Sequence, residues 1–206
     1  MPSASKISAL FSDVGGVLLT NGWDHGSRVR FVEQFHLDGE DFEDRHHFLS
    51  GALDCGQLTI DEYLDRSVFY RPHEFSKQSV REFMYAQSQP LPGSLDLIAR
   101  LAKTGKYLLA TLNNESRELN LYRIGKFRLR NYFSTFFSSC YLGVQKPHLP
   151  IYRMALEISQ RPPEECVFID DRPMNLECPR QLGLHVLQFS SAAQLETDLR
   201  MLGLEF

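Results

Sequence analysis

The sequence predicts an α/β fold: a three-layer, Rossmann-like parallel sheet core with a small α-helical cap inserted after the first strand. Three observations carry that expectation. The apolar-rich run Ile7-Ser8-Ala9-Leu10-Phe11-Ser12 ends in Asp13 and the pair Gly15-Gly16, the pattern of a buried strand closing in a tight turn. Residues 20–90 then show helical periodicity and no strand pattern. Beyond Pro92-Gly93, short apolar runs alternate with amphipathic stretches, as in a parallel sheet covered by helices on both faces. The expected division is a core of residues 1–19 and 91–206 and a cap of residues 20–90.

The first strand spans about residues 6–12. Leu18 to His25 leaves the sheet through a polar, Gly-containing connection. Val29, Phe31, Val32, Phe35 and Leu37 mark one amphipathic helix ending near Asp38-Gly39, and Phe42, His46, Phe48, Leu49 and Leu53 a second that stops near Cys55-Gly56. Thr59 and Glu62 have capping-box spacing and open a third helix, which Arg71-Pro72 ends. A fourth runs over about residues 76–87. After Gly93 the chain alternates: helix 94–103, strand 107–111, helix 115–128, strand region 135–142, helix 148–159, strand 166–169, helix 174–182, strand 185–189 and helix 191–202.

A chain of 206 residues with 43% hydrophobic and 23% charged residues has the composition of a soluble globular protein. The formal charge of −4 and the absence of a basic, aromatic-interleaved stripe predict no nucleic-acid partner. No basic start precedes a long apolar stretch, and no segment approaches the roughly 18 apolar residues of a membrane span. The expectation is a cytoplasmic protein with no membrane partner. Cys55, Cys140, Cys166 and Cys178 lack metal-ligand spacing and read as reduced thiols.

Four features fall at the carboxyl ends of predicted strands: Asp13, Thr111-Leu112-Asn113-Asn114, Lys146-Pro147 and Asp170-Asp171. A parallel sheet brings such ends to one rim, where α/β folds place their ligands. Three carboxylates on one rim repel each other unless cations compensate them. Lys146 supplies one charge, and a hard divalent ion such as Mg²⁺ suits the oxygen donors. Such a group fits phosphoryl transfer with Asp13 as nucleophile and an aspartyl-phosphate intermediate.

The motifs Phe11-Ser12-Asp13-Val14-Gly15-Gly16-Val17-Leu18, Asn113-Asn114, Gly143-Val144-Gln145-Lys146-Pro147 and Val167-Phe168-Ile169-Asp170-Asp171 resemble those of the haloacid dehalogenase-like hydrolases. The similarity is to the capped subgroup containing sugar-phosphate phosphatases and the phosphatase domain of soluble epoxide hydrolase. The resemblance implies a Mg²⁺-dependent phosphatase acting on a small phosphorylated metabolite. It implies Asp13 as nucleophile and a metal held by Asp13, the Gly15 carbonyl and Asp171, with Asp170 supporting. Which acid of the pair coordinates stays open. Lys146 would pair with the phosphate and Asp13, and Leu112 and Asn113 would hold phosphate oxygens.

Two positions depart from that pattern. Most phosphatases of the family carry a second Asp two residues after the nucleophile, as proton donor and base; here it is Gly15. General acid–base help is worth about 10²–10⁴-fold, so another group must serve or the enzyme is slow. Asp24 and His25 are candidate substitutes, set against an ordinary place in the hinge and first turn of the cap. Aligning on Asn113 also puts Leu112 where the family has Ser or Thr. Two other functions compete with the phosphatase: a metal-independent dehalogenase, and a catalytically weakened fold acting as a binding protein.

Overall fold

The computed structural model describes residues 6–206. Five strands, β1 (Ala9–Ser12), β2 (Leu108–Asn113), β3 (Thr135–Ser138), β4 (Cys166–Asp170) and β5 (His185–Gln188), form one parallel sheet in the order β3-β2-β1-β4-β5. The chain builds outward from β1 to β3, then crosses back to lay β4 and β5 on the other side. The reversal lies between β1 and β4, where Ser12 pairs with Ile169. Asp13 and Asp170, one residue further along each strand, are neighbours for that reason.

Side-chain alternation divides the sheet into two faces. Leu10, Leu109, Val167 and Ile169 pack with α5 (Ser94–Thr104) and α10 (Ala192–Met201) through Leu97, Ile98, Leu101, Leu195 and Leu199. Ala9, Phe11, Ala110, Leu112, Cys166 and Phe168 pack on the opposite face. Their partners are Ile151, Tyr152 and Ala155 of α8 (Leu149–Ser159) and Leu176 of α9 (Pro173–Gln181). The three layers are those expected.

Four helices lie between β1 and α5: α1 (His25–Phe35), α2 (Gly39–Asp54), α3 (Ile60–Ser67) and α4 (Lys77–Ala86). Their ends follow local chemistry. Asp24 caps α1 by accepting from the Ser27 N–H, and the Thr59–Glu62 capping box of α3 is complete in both directions. The insert has its own apolar cluster of Phe31, Phe42, Leu53, Ile60, Tyr63, Leu64, Val80 and Met84, joined by Leu119 of α6 (Arg117–Lys126). Trp23 sits edge-on to Phe31, Phe42 and Phe83, and its indole N–H donates to Tyr63 Oη at 3.1 Å.

The two chain segments that enter and leave the insert pair with each other. Thr20 N–H donates to Gln89 O at 2.8 Å, and Leu91 N–H donates to Leu18 O at 2.9 Å. On the far side the insert rests on the sheet layer. Tyr85 stacks on Tyr122 at 4.4 Å, and Ser139 Oγ donates to Asp54 O at 2.6 Å. Gly56 has φ 69°, and a Cβ there would meet Cys140 O at 2.2 Å, so only glycine permits this approach.

Two elements differ from expectation. β2 runs two residues past residue 111, to Asn113. The strand region 135–142 is two elements, with β3 ending at Ser138 and a one-turn helix α7 (Ser139–Leu142) closing on Gly143 at φ 71°. An apolar run as short as Cys140-Tyr141-Leu142 carries no periodicity that separates strand from helix.

Candidate active site

Asp13 leaves β1 at the point of strand reversal. Its Oδ1 accepts from the Val14 N–H at 2.7 Å and its Oδ2 meets Lys146 Nζ at 2.8 Å. The turn beyond it closes through Gly16 N–H to Leu19 O at 2.7 Å. Lys146 also meets Asp170 Oδ2 at 2.7 Å, so one ammonium bridges two carboxylates. All three side chains are nearly sealed, at 11%, 1% and 0% exposure for Asp13, Lys146 and Asp170.

Asp170 is saturated. It accepts from the Arg172 N–H at 2.9 Å and from Asn175 Nδ2 at 3.0 and 3.1 Å, besides Lys146. Asp171 is not: its Oδ1 is buried and has no hydrogen-bond partner. Gly16, at φ 77°, lets the turn lie against this carboxylate, since a Cβ there would stand 2.4 Å from its Cγ. One oxygen each from Asp13, Asp170 and Asp171 lies within 4.8 Å of the others, a group that can hold a metal ion.

The electrostatics follow from burial. Desolvation pushes Asp13 up to about 7, with Asp170 adding to it and Lys146 opposing. Burial and the Asp170 charge raise Asp171. Desolvation works against the charge on Lys146, but Asp13 and Asp170 together hold its pKa above the ordinary lysine value. The cluster is short of positive charge. A hard divalent cation fits that deficit, the all-oxygen donors and the unpaired Asp171 oxygen.

The carboxyl end of β2 differs from the expected assignment. Leu112 is buried on the sheet face with Phe137 and Ile151, and Asn113 is held by Asn120 and Ser138. Neither borders the cavity above the carboxylates, whereas Asn114 does. Because β2 extends to Asn113, the first side chain past the strand is Asn114. Its amide grips the Lys146 backbone twice, donating to the carbonyl and accepting from the N–H, both at 2.8 Å. Asn114 thereby sets where Lys146 projects.

The cavity, about 440 Å³, lies between the strand ends and the helical insert. Asp13, Gly15, Lys146 and Asn175 form its floor, and Trp23, Leu53 and Met84 contribute apolar surface from the insert. Asp24 and His25 also border it. Asp24 is occupied by its helix cap, and His25 is 75% exposed with Glu43 3.9 Å away. Several lining residues escaped the sequence reading, among them Glu115, Ser116, Arg123, Arg172 and Asn175. Of these, Glu115 and Ser116 directly follow the Asn pair, a signal that was present but unused. His46 remains neutral, its pKa lowered to about 4 by burial and by Arg28.

The sequence matches the haloacid dehalogenase-like hydrolases over residues 7–183. The chain belongs to that family. It is 31% identical over 147 residues to flavin mononucleotide hydrolase 1 of Arabidopsis thaliana, across 71% of this chain and 59% of the relative. It is 26% identical over 110 residues to glyceraldehyde 3-phosphate phosphatase of Pyrococcus furiosus, across 53% of this chain and 45% of that one. The chain thus spans about half the length of these relatives. A family enzyme of Bacteroides thetaiotaomicron, solved with magnesium and inorganic phosphate, superposes with a TM-score of 0.75 at 22% identity, covering 90% of this chain and 95% of that one. Among the described residues no helix is long and apolar enough to cross a membrane.

Proposed function

We propose that the protein is a Mg²⁺-dependent phosphatase of small phosphorylated metabolites, working through an aspartyl-phosphate on Asp13. The observation that carries this reading is the Asp13–Lys146–Asp170 bridge beside the partnerless Asp171 oxygen. Asp13, the Gly15 carbonyl and Asp171 would hold Mg²⁺, with Asp170 supporting from behind; the ion, when bound, neutralises charge on the phosphate oxygens. Asp170 fits the supporting role because its acceptor sites are already filled. Lys146 steers the phosphoryl group onto Asp13 and offsets its charge. Asn114 keeps Lys146 in register, and the partnerless buried hydroxyl of Ser116 faces the same cavity as a further donor.

A cavity of about 440 Å³ admits a phosphate with a modest organic group, in the size range of small-ligand sites. Both relatives carry names that specify phosphorylated small molecules, which supports this substrate class.

The test is phosphate release from a metabolite panel with and without Mg²⁺. Mg²⁺-dependent release by the wild type, lowered roughly 10³-fold or more in Asp13→Asn, is expected. Release unaffected by that substitution would overturn the phosphatase reading. Halide release from 2-haloacids in its place would favour the dehalogenase, and ligand-induced stabilisation with no turnover would favour the binding protein.

A further inference from the structure

Gly15 stands two residues after Asp13 and has no side chain to carry a proton, yet the space beside it is filled. A Cβ built on Gly15 would lie 2.7 Å from Asn21 Oδ1 and 3.6 Å from Arg123 Nη1. A Cβ on Gly22 would lie 2.3 Å from Arg123 Nη2. Gly15 therefore makes room for the Asn21 amide and Gly22 for the Arg123 guanidinium, both next to the nucleophile's turn. Arg123 is buried and held at each of its three nitrogens: Nε donates to Ser88 Oγ and Nη2 to Thr20 O, both at 2.9 Å. Its Nη1 meets Glu115 Oε1 at 2.8 Å.

That contact leaves Glu115 Oε2 buried and without a partner, on a side chain only 6% exposed. Glu115 lines the cavity that Asp13 and Lys146 also line. Its backbone is pinned by its N–H donating to Ser139 Oγ at 3.0 Å. A buried carboxylate oxygen with no partner costs free energy unless a ligand supplies one. Two other groups bordering the cavity are less suited. Asp24 is held as a helix cap, and His46 Nδ1 is 2.9 Å from Tyr63 Oη.

Building on the phosphatase reading, we propose that Glu115, held by Arg123, is the catalytic proton donor and acceptor that replaces the side chain missing at Gly15. In the first step the Asp13 carboxylate bonds to phosphorus and the bond from phosphorus to the leaving oxygen breaks. The Oε2–H proton of Glu115 passes to that oxygen, releasing the alcohol and leaving Glu115 ionised. In the second step water bonds to phosphorus and the Asp13–phosphorus bond breaks. The water proton returns to Glu115, and inorganic phosphate leaves.

The surroundings suit both roles. Burial pushes Glu115 up to about 7. Arg123 from α6 and Lys146 from the loop before α8 oppose that rise, while Asp13 beyond β1 and Asp54 at the end of α2 add to it. A group titrating near neutrality can give a proton in one step and take it in the next.

The experiment compares wild type and Glu115→Gln, with Mg²⁺, on an alkyl phosphate and on p-nitrophenyl phosphate, whose leaving group departs without a proton. The expected result is a fall in kcat of about 10²–10⁴-fold for the alkyl phosphate, with KM little changed. With p-nitrophenyl phosphate the initial burst of nitrophenol persists, and phosphorylated Asp13 accumulates. Glu115→Asp, which retains the charge opposite Arg123 but retracts the carboxylate, shows the same pattern in weaker form and serves if the Gln variant fails to fold. Loss of the nitrophenol burst along with alkyl-phosphate turnover, or undiminished alkyl-phosphate turnover in both variants, overturns the proposal while leaving the phosphatase reading intact. No turnover by the wild type on any phosphate overturns both.

Discussion

At the scale of single residues, Lys146 controls the site. It is one buried ammonium between two buried carboxylates. Lys146→Ala leaves Asp13 and Asp170 facing each other with no cation between them, and we expect a loss of about 3–5 kcal/mol in urea unfolding at pH 7.5. The sign of the pH dependence follows from the direction of the shift. Asp13 already has a folded pKa raised to about 7, and removing the lysine raises it further. A carboxylate whose folded pKa is raised contributes stability below its unfolded pKa, and that contribution is lost as pH rises through the folded value. The deficit of the variant therefore shrinks between pH 7.5 and pH 5. A loss below about 1 kcal/mol at pH 7.5 would show that solvent reaches the pair. The assignment one residue off at Leu112 also belongs to this scale. Two adjacent asparagines stand at the end of β2, Asn113 within the strand and Asn114 just past it, and sequence spacing alone does not say which of them leaves the strand.

At the scale of elements, local chemistry was legible wherever it was self-contained. The Ser76, Thr59 and Asp24 caps lie within three residues of the groups they bind, and the helices start where those residues stand. Asp24 shows how a functional expectation can be settled by an element. It borders the cavity, but its Oδ1 accepts from the Ser27 N–H at 2.8 Å. Asp24→Ala should cost about 1 kcal/mol of stability, read as a lower Tm. Its kcat should stay within a few-fold of wild type at a temperature where both are folded. A fall in kcat of about 10²-fold or more with an unchanged Tm would instead make Asp24 the proton-transfer group. Elements that depend on distant partners were harder to read. β2 reaches Asn113 because Asn113 pairs with Ser138 of β3, a contact 25 residues away.

At the scale of the whole molecule, strand order does what no local feature can. Placing β1 beside β4 brings Asp13 to Asp170, and the loop before α8 carries Lys146 between them. The proposed metal site belongs to this assembly, and its occupation should appear as linkage to folding. A saturating level of Mg²⁺, about 100 times its Kd, stabilises by about 2.7 kcal/mol, a rise in Tm of roughly 5–10 °C for a chain of this size. Asp171→Asn should remove most of that rise in a calorimetric scan. A rise unchanged in the variant would exclude Asp171 as a ligand. The sequence by itself determined the three layers, the helical insert and the strand ends at Asp13 and Asp170-Asp171, because periodicity, caps and strand-end residues are written within a few positions of each other. Only the tertiary structure decided that Asp171 is left with an open oxygen and that Asn114 orients Lys146. It also decided that Arg123, across some hundred residues from Gly15, pairs with Glu115 at the cavity. Those outcomes depend on which buried polar groups find partners, and that accounting closes only when the whole chain is folded.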